Sequence, residues 1–240
     1  MSNKSSDTGS SVDYRALRSD LYAGGERAAR AEDMLLSLGR ASWIKLLEDA
    51  SMDAKTKLYT QESLESDIHD VLANPQETGL LIVTDLVKFK SINDQFGQEF
   101  GDTIISTSAS GLHSVVSKRR RDTVYLFEEE YENFLESDGF RIGGDEFAVL
   151  LRNGDSLQRA DIEKIVRRKV LGILSFRPLV EKLEDAGVSG FGVRAGATLV
   201  DIERHANFKE VLRDADPKKC TMCEYHLIQD DDHLIIKKII

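Results

Sequence analysis

Between Phe140 and Leu151 the chain reads FRIGGDEFAVLL, and Asp145 and Glu146, directly after Gly143-Gly144, are the side chains best placed for chemistry. Apolar stretches flank the glycines, so the spacing predicts a β-hairpin whose tight turn takes positive φ at Gly143 and Gly144. Such a turn presents an acidic lip without Cβ atoms, to which a metal-bound phosphate can come close. A plain antiparallel hairpin would show the same pattern, so a second acid is needed. Gly79 to Thr84 is an unbroken apolar run of strand length, expected to be buried on both faces and to deliver Asp85 at its carboxyl end. If the two strands are neighbours, Asp85 and Asp145 converge into a divalent-cation site with positions left for water and substrate phosphates.

The elements that must hold these acids are readable in outline. Residues 1–12 are polar and Ser-rich, expected to be a disordered tail, and residues 13–50 carry a helical pattern with Leu17, Leu21, Ala28, Ala31, Leu35 and Leu38 near heptad spacing. That segment is either a partner-binding or dimerising helix or a helix folded onto the domain of residues 51–240. Thr60 can cap a helix bearing Leu64, Ile68, Val71 and Leu72 that ends near Pro75. Gly101-Asp102 is expected to open a helix bearing Ile105, Ala109, Leu112 and Val116. Tyr125 to Phe127 reads as strand and Glu128 to Glu136 as a short acidic helix. After the hairpin come helices with Ile162, Ile165, Val166 and Ile173 and over Arg177 to Leu183, a strand over Val193 to Val200, a helix over Phe208 to Ala215 and a strand over Leu234 to Ile240. Strands and helices interleaved around one hairpin predict an α/β (α+β) fold, a central mixed sheet flanked by helices with an N-terminal helical extension.

The hairpin motif together with Asp85, Phe89-Lys90, Ile92-Asn93-Asp94, Gly97 and Gly101-Asp102 resembles the GGDEF family of diguanylate cyclases, from about Asp53 to the C-terminus. The resemblance implies the ferredoxin-like palm of nucleotidyl cyclases and condensation of two GTP into cyclic di-GMP with Mg²⁺ or Mn²⁺. Each domain would hold one GTP, so product would form across a homodimer. Asp85 and Asp145 match the family's metal-binding acids, with the Leu86 carbonyl as a backbone ligand. Glu146 matches the acid that assists the metal or the attacking hydroxyl. Asn93 and Asp102 match the guanine-reading positions, where a carboxylate takes the two N–H donors of guanine and an amide answers the rest. Without the resemblance Asn93 reads as a turn residue and Asp102 as a helix N-cap. Lys88-Phe89-Lys90 lies in the loop whose backbone N–H groups hold phosphates in relatives, although Lys90 could equally be an ordinary exposed lysine.

Several positions depart from the family. Val87 replaces the second acid of Asp-x-Asp, and the small strand near the site reads Gly196-Ala197-Thr198. In a late helix expected over Pro217 to Leu227, Cys223 and Leu227 stand where relatives carry cations that grip the β- and γ-phosphates, and Lys218 or Lys219 could supply that charge one turn earlier. Two further readings follow from these departures: a degenerate domain that binds GTP or a partner without turnover, or a cyclase making a different cyclic nucleotide. Cys220, Cys223, His226 and His233 could ligate Zn²⁺, or the two cysteines could be reduced thiols on one helix face.

Composition excludes other classes. With 42 acidic against 32 basic side chains and a formal charge of -10, the chain of 240 residues has no basic field for nucleic acid or a membrane surface. KRRR at 118–121 reads as a solvated helix end or a phosphate contact. No apolar run approaches a membrane span, and MSNKSSDTGSS lacks the hydrophobic core of a signal peptide, so the expected location is cytoplasmic.

Overall fold

A computed structural model describes Arg30 and residues 51–116, 137–152, 157–230 and 233–240. The chain divides into two units, Met1–Met52 and Asp53–Ile240, and the second is described below. The polar tail, the heptad-like segment apart from Arg30, KRRR at 118–121 and the strand and acidic helix expected over 125–136 lie outside the described residues.

The unbroken apolar run becomes the central strand β1 (Gly79–Val87). It is flanked by helices α1 (Gln61–Ala73), α2 (Phe89–Phe96) and α3 (Gln98–Val116) in sequence, and is followed by β2 (Ser137–Arg141), β3 (Glu146–Arg152), α4 (Arg159–Leu174), α5 (Arg177–Asp185), β4 (Gly192–Val200), α6 (Phe208–Ala215), β5 (Cys223–Asp230) and β6 (His233–Lys238). The six strands lie in the order β2-β3-β1-β4-β5-β6. All these neighbours pair antiparallel, and the parallel pairing among the described residues is the bridge Tyr59 to Phe140 beside β2.

A strand is apolar at every position only if both faces are covered, and here they are. Leu80 and Ile82 join Phe147, Val149 and Ala195 in a core with Ile104, Ala109 and Leu112 of α3 and Ile165, Val166 and Val170 of α4. The alternate residues Leu81 and Val83 join Ala148, Leu150 and Val200 under Leu64, Ile68 and Val71 of α1 and Phe208 and Val211 of α6. The Thr60 hydroxyl accepts the Ser63 N–H at the start of α1, and Asn74, held extended before Pro75, ends it. At the outer margin, the Leu234 N–H of β6 donates to Glu184 Oε1 at 3.0 Å, while Ile235 and Ile236 are 44% and 37% exposed beside Lys237-Lys238.

Three local expectations change. Helix α3 starts at Gln98, not at Gly101-Asp102, because Gly97 at φ 85 ends α2 and lets the next helix begin at once, which puts Asp102 inside α3. Gly143 and Gly144 do not have positive φ. The last β2 residue, Arg141, pairs with Phe147, and the Ile142 N–H closes onto Glu146 O at 3.1 Å, so the loop is longer than the two-residue turn that demands left-handed glycines. The late helix over Pro217 to Leu227 is a tight turn followed by β5. Pro217 cannot donate to a continuing helix, and Asp216 takes over, its Oδ1 accepting the Lys218 N–H and its carbonyl the Cys220 N–H.

Candidate active site

Sheet register brings the acids together. Asp85 lies opposite Glu146 on one side and Arg194 on the other, two residues before the end of β1. Asp145 is the last loop residue before β3, and its carbonyl accepts the Leu86 N–H at 3.2 Å, which ties the acidic loop to the strand carrying Asp85. Two like charges directly opposite each other destabilise a sheet unless a cation intervenes. Here Lys218 does: its Nζ is 2.9 Å from Asp85 Oδ1 and 2.9 Å from Glu146 Oε1. The hydrogen bond to Asp85, then that to Glu146, raise the Lys218 pKa above that of a free ammonium. Asp145 is raised as well, with the opposite consequence for its charge: burial and the Asp85 charge push its carboxyl above the ordinary value despite Lys218, which disfavours the ionised form. One ammonium therefore leaves the cluster with surplus negative charge.

Lys218 reaches the acids because the backbone passes unusually close to the sheet. A Cβ at Gly196 of β4 would sit 2.5 Å from the Ala215 carbonyl oxygen and 2.9 Å from that of Cys220, so only a glycine lets the Asp216–Cys220 turn lie there. A Cβ at Gly143 would fall 2.9 Å from Glu146 Oε2, the movable end of a side chain rather than backbone, whereas a Cβ at Gly144 meets nothing within 4 Å among the described residues. Arg141, which the sequence reading passed over, clamps the loop. Its Nε donates to Gly143 O at 3.2 Å, its NH2 to Gly144 O at 2.9 Å, and its NH1 to Asp53 Oδ1 at 3.2 Å. Its position two residues before the glycines, with Asp53 and Thr56 upstream, was the available signal.

The remaining candidates are placed as follows. Asn93 on α2 packs against Gly101: a Cβ there would lie 1.7 Å from Asn93 Oδ1, a buried oxygen without a hydrogen-bond partner among the described residues. Asp102 is exposed one residue further along α3 and pairs with Lys55. Phe89 is buried against the same core, and Lys90 is exposed on the first turn of α2. Lys88, in the left-handed region at φ 66, turns its side chain across Gly190, beside a cleft of about 380 Å³ that also touches Gln95 and Val188. Lys219 pairs with Asp216 at 2.9 Å and does not join Lys218 on the acids.

Cys223 and Leu227 point into the core from β5, so neither position offers a cation. The zinc arrangement is not formed either. Residues 223 and 226 lie an odd number apart on one strand and face opposite sides, with Cys223 buried, His226 against Glu224 at 2.6 Å, and Cys220 exposed in the turn.

Asp85, Asp145 and Glu146 offer hard oxygen donors and surplus negative charge, and the Leu86 carbonyl belongs to the same strand, which suits Mg²⁺ or Mn²⁺. Among the described residues no three His, Cys, Asp or Glu side chains are already grouped as a metal cage. No helix among the described residues is long and apolar enough to cross a membrane.

Residues 50–219 match the family described as diguanylate cyclase, GGDEF domain. The chain is 28% identical over 126 residues to the diguanylate cyclase VdcA of Vibrio cholerae, covering 52% of this chain and 32% of that protein. It is 26% identical over 175 residues to the probable diguanylate cyclase DgcE of Escherichia coli, covering 72% of this chain and 14% of that one. The chain thus spans a third or less of the length of these relatives. In fold it is similar to the coiled coil and GGDEF domain of DgcB from Caulobacter crescentus in complex with c-di-GMP, with a TM-score of 0.53 at 18% identity, covering 84% of this chain and 91% of that one.

Proposed function

Because the chain belongs to the GGDEF family of diguanylate cyclase domains, we propose that it binds GTP with Mg²⁺ or Mn²⁺ and condenses two GTP into cyclic di-GMP and pyrophosphate. The observation that carries this reading is the register that sets Asp85 against Glu146 with Asp145 beside them. A divalent cation there would supply charge neutralisation for in-line attack of a ribose 3′-hydroxyl on an α-phosphate. The chain's own residues do the rest. Asp85 and Asp145 hold the cation with the Leu86 carbonyl, and Glu146 stands next to them to orient or deprotonate the attacking hydroxyl. Asn93 and Asp102, on either side of Gly101, read guanine, and Lys55 holds the Asp102 carboxylate until the base arrives. The backbone from Lys88 to Lys90 and the Lys218 ammonium face the phosphates.

One active surface holds one nucleotide, so turnover needs two copies facing each other, and residues 13–50 are a candidate for bringing them, or a partner protein, together. A cytoplasmic location fits that chemistry. A second reading, a nucleotide-binding regulator without turnover, is favoured by one observation: Cys223 and Leu227 are core residues, so the phosphate-gripping pair is gone and Lys218 alone replaces it.

Incubating the pure protein with each nucleoside triphosphate and Mg²⁺, then identifying products by mass, tests both. Cyclic di-GMP from GTP alone is expected. Tight GTP binding without product selects the regulator, and a product from another triphosphate overturns the guanine assignment.

A further inference from the structure

Asp85 is a nearly buried carboxylate, its side chain 8% exposed, and among the described residues Lys218 is its sole ion-pair partner, as it is for Glu146. The contact is built into the chain. Pro217 stops α6, Asp216 Oδ1 holds the Lys218 N–H at 2.9 Å, and Gly196 lets the turn lie against β4 with Lys218 aimed across the sheet. The adjacent Lys219 is held back by Asp216. A single lysine is thus aimed at Asp85, which a divalent cation would also use, and at Glu146 beside it, where an ammonium and a divalent cation repel each other.

We propose that Lys218 is a tethered competitor for the divalent cation: in the metal-free protein its ammonium occupies Asp85, one of the carboxylates that would hold the metal, together with the neighbouring Glu146, and the incoming metal must displace it. The inference rests on the reading of Asp85, Asp145 and Glu146 as a metal site. Its consequence is that the protein alone binds metal weakly. The displaced ammonium, still on its short turn beside the acids, becomes free for the nucleotide phosphates, so metal and triphosphate assist each other's binding.

The test uses Mn²⁺ alone, followed by electron paramagnetic resonance of the free ion, with the parent, Lys218→Met and Lys219→Met, the full chain in each case. If the ammonium holds the acids in all but about 1–10% of molecules, Lys218→Met should bind Mn²⁺ about ten- to hundredfold tighter. Lys219→Met, with the same change of net charge, should bind like the parent. Metal-free Lys218→Met should also melt lower than the parent and recover with Mn²⁺, because the ammonium is missed only while no metal replaces it. Lys218→Gln repeats the comparison should the methionine variant not fold. Equal affinity in the parent and the Lys218 variants overturns the proposal, and so does an equal gain from Lys219→Met, which would mean a general field. Absence of Mn²⁺ uptake in every variant refutes the metal reading itself, and the competition with it.

Discussion

Gly101→Ala isolates the base-reading corner from the rest of the fold. The new methyl would sit 1.7 Å from Asn93 Oδ1, 2.8 Å from Asn93 Cγ and 3.3 Å from Phe89 Cζ, so the Asn93 amide must leave its place. Overpacking of this kind costs about 1–3 kcal/mol. Against it, alanine in place of glycine on a helix contributes about 1 kcal/mol. Stability should therefore fall by no more than about 2 kcal/mol, within reach of a denaturant titration. Nucleotide binding should suffer more selectively: if Asn93 reads guanine, its displacement costs about 1–3 kcal/mol, or roughly 5- to 150-fold in GTP affinity by calorimetry. The decisive measurement is the double-mutant cycle. In an Asn93→Ala background the two closest approaches to the methyl at 101 are gone and Phe89 Cζ remains at 3.3 Å, so Gly101→Ala should turn neutral or stabilising, with a coupling of about 1–3 kcal/mol. Strictly additive effects, or a Gly101→Ala protein that binds GTP like the parent, would refute the reasoning.

Three other outcomes follow from the site. Gly143→Ala should push Glu146 off Lys218 and lower the metal-free stability slightly, by less than about 1 kcal/mol for a half-exposed pair, while Gly144→Ala leaves it unchanged; the reverse order in a denaturant titration would contradict the loop geometry. Because burial and the Asp85 charge hold the Asp145 carboxyl above its ordinary 3.8, the folded protein binds that proton more tightly than the unfolded chain, and the associated stability is present in acid and lost as pH rises through the raised value. Asp145→Asn removes that loss, so its metal-free stability relative to the parent should improve from about pH 4 upward while Mn²⁺ binding and turnover fall, and a pH-independent difference would refute the cause assigned. Iodoacetamide at neutral pH should modify exposed Cys220 alone in the native protein, since burial pushes the Cys223 thiol up to about 11; equal labelling of both by peptide mass would show that Cys223 is not in the core.

Much of this was legible in the residues. The apolar run over Gly79 to Thr84 and the glycine pair at 143–144 announce a buried strand and a hairpin, and both are present. Pairing direction was not legible, because an all-apolar strand looks the same beside parallel or antiparallel neighbours once both faces are covered. The resemblance placed Asp85 near Asp145, but only the register shows that Glu146 is the residue directly across from Asp85. Lys218 was proposed as a phosphate-binding cation one helical turn early. Its actual contact follows from Pro217 and Gly196, two positions far apart in sequence whose joint effect on one turn no local pattern reports.

At the far side of the sheet, β6 offers isoleucines and, among the described residues, a backbone margin without a further strand, the kind of template on which a second chain can add a strand and continue without limit. Two devices blunt it. Glu184 already occupies the Leu234 amide, and Lys237-Lys238 put charge at the other end, so the span left for an intruding strand is short. A protein whose proposed chemistry requires two copies to meet at Asp145 has reason to keep them from meeting anywhere else: every pair joined at the margin is a pair with its nucleotides facing solvent.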